Sequence, residues 1–274
     1  MKPVLIFDYD GTLHETMKIY APAVYDTVRW LNTSCGVPAG EPDRAKIQSW
    51  LGMNTADMWN DFMPQLDEDL KRRAALRIGE GMRAELAAGR GGWYDGTRTM
   101  LDRLKSRGFT MAVLSNCGVS YARLHWDYFR MDRWFTAFFP CECWDHAPKR
   151  VIMRDIAEDF QAAVKKTPVK REAEECGPAR GEIPGNAETD GRDGRRTFVV
   201  IGDRGSDFEG ARGVDAPFIG CTYGYGTADE LNGAAAMAGH PADIAEILTG
   251  SPGYRRLFNR QEGSGSFDQK PELN

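Results

Sequence analysis

The chain has no stretch approaching the roughly 18 consecutive apolar residues that a membrane-spanning helix requires. A bilayer is not expected as its solvent. It also has no excess of positive charge: 35 Lys and Arg stand against 40 Asp and Glu, for a formal net charge of -5. Nucleic acid and anionic membrane are therefore not expected as main partners, and a small ligand is. Cysteine is sparse, with Cys35, Cys117, Cys141, Cys143, Cys176 and Cys221 scattered along the chain. Only Cys141 and Cys143 are close, separated by one residue rather than the two or more of a zinc knuckle. Free thiols in a reducing compartment are the expectation. The N-terminus meets Asp8 before a signal-peptide apolar region could develop, which points to the cytoplasm.

The chain does have enough apolar material, 42% of 274 residues, to bury a sizeable core in one large domain or two. Residues 4–7, VLIF, form a short apolar run that stops at Asp8, Asp10 and Gly11. Such a run reads as a buried strand entering a tight turn, with both acids at its C-terminal end. Four further segments read the same way: residues 109–114, 137–141, 198–201 and 217–221. Helical patterns lie between them, as at residues 97–107, which carry Met100, Leu101 and Leu104 on one face and meet Gly108. Strands alternating with helices predict an α/β fold built on a doubly wound parallel sheet.

The first strand and the second are separated by about a hundred residues without a clear strand, far beyond a normal crossover. That length predicts an inserted helical cap over residues 15–90, hinged near Glu15 and near Gly89, Gly91 and Gly92. The sheet domain then comprises residues 1–14 and 91–249. Within it, residues 167–196 have almost no large apolar side chains and mix Pro, Gly, Glu and Arg, so a flexible insertion is expected. Residues 250–274, with GSGS among them, read as a disordered tail.

The chemistry-bearing residues fall at strand ends. Asp8 and Asp10 end the first strand, where a plain turn is the alternative reading. Ser115 and Asn116 end the second, offering a hydroxyl and an amide to an anion or simply capping a helix. Asp203 and Asp207, four apart after residues 198–201, suit one metal ion or a helix N-terminus. Lys149 opens a helical stretch, where a lysine is most often solvated.

In order, FDYDGT, a strand ending VLSN, PK at a helix start and VVIGDRGSD resemble the four motifs of the haloacid dehalogenase-like superfamily. The resemblance runs over about residues 3–249 and extends to the cap inserted after the first motif, as in the phosphoglycolate phosphatase-like branch, and to the closing TYGYGTADEL. It implies a Rossmann-like core, a Mg2+ cofactor and a phosphatase acting on a small phosphorylated metabolite. Asp8 would be the nucleophile, giving an aspartyl-phosphate, and Asp10 the general acid and base. The metal would be held by Asp8, the main-chain carbonyl of Asp10, Asp203 and, through water, Asp207. Ser115 and main-chain amides around Gly11, Thr12 and Asn116 would hold the phosphoryl oxygens, and Lys149 would offset the accumulated charge. An acid at Asp10 favours phosphoryl transfer over dehalogenation, since a halide leaves without a proton. A sugar phosphomutase of the β-phosphoglucomutase type and a non-enzymatic receiver-like phosphoswitch are the alternatives. In the cap, Trp50, Met53, Trp59, Phe62 and Met63 suit either a pocket wall or core packing, and His14 either a substrate contact or a bystander.

Overall fold

The computed structural model describes residues 2–53, 55–164, 197–250 and 257. The expected flexible insertion at 167–196 lies outside them, as does all of the 250–274 tail except Gly250 and Leu257. Leu257 is buried against the sheet's core.

Strands β1 (Val4–Phe7), β2 (Thr110–Ser115), β3 (Ala137–Pro140), β4 (Phe198–Gly202), β5 (Phe218–Cys221) and β6 (Ala236–Ala238) form one sheet in the order β3-β2-β1-β4-β5-β6. Every pairing is parallel. Parallel strands buried on both faces appear as unbroken apolar runs, which is why VLIF lacks alternation in its chemistry. Its side chains nonetheless alternate in space. Leu5, Phe7, Met111, Val113, Val199 and Ile201 enter one core layer, while Val4, Ile6, Ala112, Leu114, Phe198 and Val200 enter the other.

Helices α5 (Thr97–Ser106), α6 (Val119–Phe129) and α9 (Pro241–Thr249) cover the first layer, through residues such as Met100, Leu104, Phe129 and Leu248. Helices α7 (Lys149–Val164) and α8 (Gly205–Arg212) cover the second, through Ile152, Ile156 and Ala211. After β1 the chain moves to β2 on one side, and after β3 it returns to β4 on the other. The β1/β4 boundary is thus the point where strand order reverses and a crevice opens at the carboxyl edge.

Between β1 and α5 come α1 (Met17–Ser34), α2 (Arg44–Ser49), α3 (Thr55–Phe62) and α4 (Glu68–Ala87). They enclose an apolar cluster of their own, including Val24, Val28, Ile47, Met58 and Ile78. Trp50, Trp59 and Met63 are buried in it, so packing claims them, whereas Met53 is 43% exposed. Asp67 caps α4 by accepting from the amides of Asp69 and Leu70. Gly81 of α4 lets α1 approach closely, because a Cβ there would sit 2.8 Å from Cβ of Ala23. The two connections to the sheet run side by side: Glu15 N donates to Gly92 O and Tyr94 N to Leu13 O, both at 3.0 Å.

The thiols depart in part from expectation. Cys35, Cys117, Cys141 and Cys221 are free, but Cys143 is disulfide-bonded. Residue spacing alone could not show which thiols the fold brings within bonding distance. No helix among the described residues is long and apolar enough to cross a membrane.

Candidate active site

The turn after β1 delivers Asp8, and the turn after the neighbouring β4 delivers Asp203 and Asp207. Carboxylate oxygens of these three buried residues lie within 4.8 Å of one another. Lys149, the first residue of α7, reaches them from the second layer and donates to Oδ1 of Asp8 and Oδ1 of Asp207, each at 2.5 Å. Asp207 plays two parts at once, since its Oδ2 accepts from the Arg204 amide at 3.0 Å and so caps α8. The helix-terminus reading of GDRGSD thus holds for Asp207, and the same side chain also joins the carboxylate cluster.

Asp203 is the most tightly enclosed of the three. Its Oδ1 accepts from the Thr12 hydroxyl at 3.0 Å and its Oδ2 from the Tyr225 amide at 2.7 Å. Gly11, at φ 96°, faces it, and so do Gly224 and Gly226; a Cβ at any of the three would collide with Asp203. The amides of Gly11 and Thr12 are spent within the loop, on His14 O and Tyr9 O. These two residues therefore enter the site as supports of Asp203, not as free amide donors. The YGYG run around Tyr225 is a site element that single-residue reasoning missed, though its paired glycines were a visible signal.

Burial governs the electrostatics. It pushes Asp8 well above the ordinary carboxylate range, aided by the negative charge of Asp207 and opposed by Lys149. Burial and Asp207 likewise raise Asp203, to about 7, against the hydrogen bonds from Tyr225 and Thr12. For Lys149, burial favours the neutral amine, but Asp207 and Asp8 outweigh it and hold the ammonium well above its usual range. With all three carboxylates ionised around one ammonium, the buried hollow carries two formal negative charges, the excess that raises Asp8 and Asp203 when no other cation is present. All-oxygen donors with that excess fit a hard divalent cation.

Asp10 stands apart from this cluster. Its Oδ1 accepts from Thr16 Oγ1 at 2.6 Å and from the Tyr121 hydroxyl at 2.7 Å, with His14 Nδ1 at 3.4 Å. Burial alone would raise its pKa, yet the hydrogen bonds and charge of His14, with Thr16 and Tyr121, lower it overall. His14 is fully buried, stacked on Tyr9 at 5.2 Å, so it is no surface bystander. Ser115 is buried at the same sheet edge, near enough to hydrogen-bond the Cys117 thiol, and Asn116 is exposed beyond it.

Behind Asp10 lies His125, whose Nδ1 shares a hydrogen bond of 2.8 Å with the Tyr9 hydroxyl. Burial, then the neighbouring His14, lower its pKa from 6.5 to about 3. The unfolded chain therefore binds this proton at a pH where the folded chain does not. Stability from neutral His125 is complete above about 6.5 and is lost as pH falls toward 3, by up to about 1.4 kcal/mol per pH unit. His125→Gln should flatten the fall in urea-unfolding free energy between pH 7 and pH 5. A variant with the wild-type slope would exclude His125 as its source.

A family model, haloacid dehalogenase-like hydrolase, matches residues 3–215. The chain belongs to that family and is an enzyme of the hydrolase class. A 5'-nucleotidase of Pseudomonas aeruginosa is 26% identical over 249 residues, 89% of this chain and 93% of that protein. Among solved structures, a "predicted phosphoglycolate phosphatase" from Haemophilus somnus has a TM-score of 0.65 at 17% identity, covering 90% of this chain and 97% of its own. A "predicted phosphatase" from Clostridium acetobutylicum has 0.63 at 19%, covering 91% and 99%. At these identities the structures speak for the fold, a Rossmann-like sheet with an inserted helical cap.

Proposed function

We propose that the protein is a Mg2+-dependent phosphatase that hydrolyses a small phosphate monoester through an aspartyl-phosphate on Asp8. The observation that carries this reading is the meeting of Asp8, Asp203 and Asp207 around Lys149 at the strand-order switch, with Asp10 held on a separate network. Attack and proton transfer need different carboxylates, and the two acids of DYD have different surroundings. Asp8 attacks phosphorus in line, and the P–O bond to the leaving group breaks. Asp10 gives its proton to the leaving oxygen, then takes one from the water that hydrolyses the acyl phosphate. In the free enzyme Asp10 favours the ionised form; the negative charge of a bound phosphoryl group raises its proton affinity at the moment an acid is needed.

Asp8, the main-chain carbonyl of Asp10 and Asp203 would hold Mg2+, with Asp207 through water. That ion supplies the charge neutralisation that lets an anionic nucleophile approach an anionic substrate. Lys149 adds a fixed positive charge beside Asp8. Ser115 and main-chain amides near Asn116 and in the loop after Asp8, other than those of Gly11 and Thr12, hold the phosphoryl oxygens. In domain terms, residues 1–14 and 91–249 form the catalytic core, and residues 15–90 the cap that overhangs it, in a cytoplasmic enzyme. The Pseudomonas aeruginosa relative favours a second reading of the substrate, a nucleoside 5'-monophosphate.

Turnover of p-nitrophenyl phosphate with and without Mg2+ tests the reading. A chelator should reduce the rate to background, by at least about 100-fold, and added Mg2+ should restore it. Full turnover in chelator would remove the metal from the mechanism. A panel of sugar phosphates, phosphoglycolate and nucleoside monophosphates then separates the substrate readings.

A further inference from the structure

Two hydroxyls donate to a single oxygen of Asp10. Thr16 Oγ1 and Tyr121 Oη both address Oδ1, with His14 Nδ1 3.4 Å from the same atom, and among the described residues no hydrogen bond falls on Oδ2. Hydrogen counting orders this network. The Thr16 hydroxyl has one hydrogen and gives it to Asp10, so the contact between His14 Nδ1 and Thr16 Oγ1, 2.9 Å, must be donated by the imidazole. His14 Nδ1 thus carries a hydrogen, while His14 Nε2 is buried with no hydrogen-bond partner among the described residues. Thr16 and His14 both belong to the connection beside the cap, whereas Tyr121 comes from α6, over a hundred residues away. The phenol has a fixed setting of its own. Its ring stacks on His125 at 3.9 Å, and His125 is held by Tyr9, which accepts from Trp93 Nε1 at 3.4 Å. The side chain of Asp10 remains 23% exposed despite these contacts.

We propose that Tyr121 is a positioning residue for leaving-group protonation: its hydroxyl, braced by His125, pins Oδ1 of Asp10 so that Oδ2 is the oxygen that exchanges the proton with the leaving group. The inference rests on Asp10 being the proton-transfer acid of the proposed reaction. In that step the Oδ2–H bond of Asp10 breaks as a new O–H bond forms on the departing oxygen, and the electron pair of the breaking P–O bond stays with that oxygen. A carboxylate free to rotate would present the proton in fewer encounters.

The dependence on leaving group separates positioning from mere structure. A p-nitrophenolate departs with little help from an acid, whereas an alkoxide requires its proton in the transition state. kcat/KM reports the steps up to leaving-group departure, so it isolates the half-reaction concerned. Tyr121→Phe keeps the ring on His125 and removes only the hydroxyl. It should lower kcat/KM for glycerol phosphate about tenfold or more while changing that for p-nitrophenyl phosphate by less than about threefold. In an Asp10→Asn background the same substitution should cost less than about twofold, because the group it positions is already gone. Equal losses on both substrates, or a full further loss in the Asp10→Asn background, would overturn the inference and leave the phosphatase reading standing. Absence of wild-type turnover with Mg2+ on either substrate would remove both.

Discussion

Asp8→Asn is expected to lower turnover of p-nitrophenyl phosphate by about 10⁴-fold or more without loosening the fold. The amide matches the carboxylate in shape, and its Oδ1 can still accept from Lys149, so the 2.5 Å contact between α7 and the β1 turn has a partner. What disappears is the oxygen proposed to attack phosphorus. Charge also favours the folded variant. Burial and the negative charges of Asp207 and Asp203 already drive Asp8 well above the ordinary carboxylate range, so removing its charge relieves repulsion in the hollow. Thermal melts should therefore place Tm at or above the wild-type value while activity vanishes. That pairing matters, because a buried residue can abolish activity merely by unfolding its surroundings. Acid-quenched wild type should carry phosphate in an acid-stable, base-labile bond during turnover, and the variant should carry none. Activity within about tenfold of wild type would mean that another group attacks phosphorus.

The residues of that hollow were legible in the sequence for one physical reason. Parallel strands buried on both faces must be continuous apolar runs, and VLIF and FVVIG are so sharply bounded that the acids ending them stand out. Adjacent parallel pairing then brings Asp8 and Asp203 together, since Phe7 is level with Ile201. Lys149 was weaker, a lysine at a helix start that only the second core layer brings inward. The elements that escaped are short. Ala236–Ala238 is a three-residue edge strand with no β-branched side chain, and Arg44–Ser49 is too brief to establish a helical period. The holders of Asp10 escaped for a different reason. Tyr121, His125 and Phe129 recur at a spacing of four along α6, a stripe visible in the sequence, but nothing in that spacing says that a carboxylate faces it. Such hydrogen bonds between residues far apart in sequence are products of the sheet's crossover geometry and are not encoded locally. The glycines around Tyr225 belong to the same class, because their need for small size arises only once Asp203 is pressed against them.

Lys149→Met should be the most destabilising single change at the site, by roughly 3–5 kcal/mol, for a fall in Tm on the order of 10 °C. The ammonium is nearly fully buried and donates to two carboxylates that are buried as well. Burying a lysine is costly in itself, and replacing an entire ion cluster with apolar side chains can be neutral. Removing the cation alone is another matter, for it leaves Asp8, Asp203 and Asp207 within 4.8 Å of one another with no positive charge among them. Methionine fills much of the lysine's volume, so lost packing contributes little beside this. A cation from solution could then take over part of the lysine's role. Millimolar Mg2+ should raise Tm of Lys149→Met by more than it raises Tm of wild type, because binding to the folded state stabilises it in proportion to affinity and the variant's hollow is more negative. Turnover would not recover with Tm, since the ammonium's fixed position beside Asp8 is not reproduced by an ion held among the carboxylates. Equal Mg2+ shifts in the two proteins would mean that the metal and the lysine do not share these acids, and the three carboxylates would then have to be read as a purely structural knot closed by Lys149.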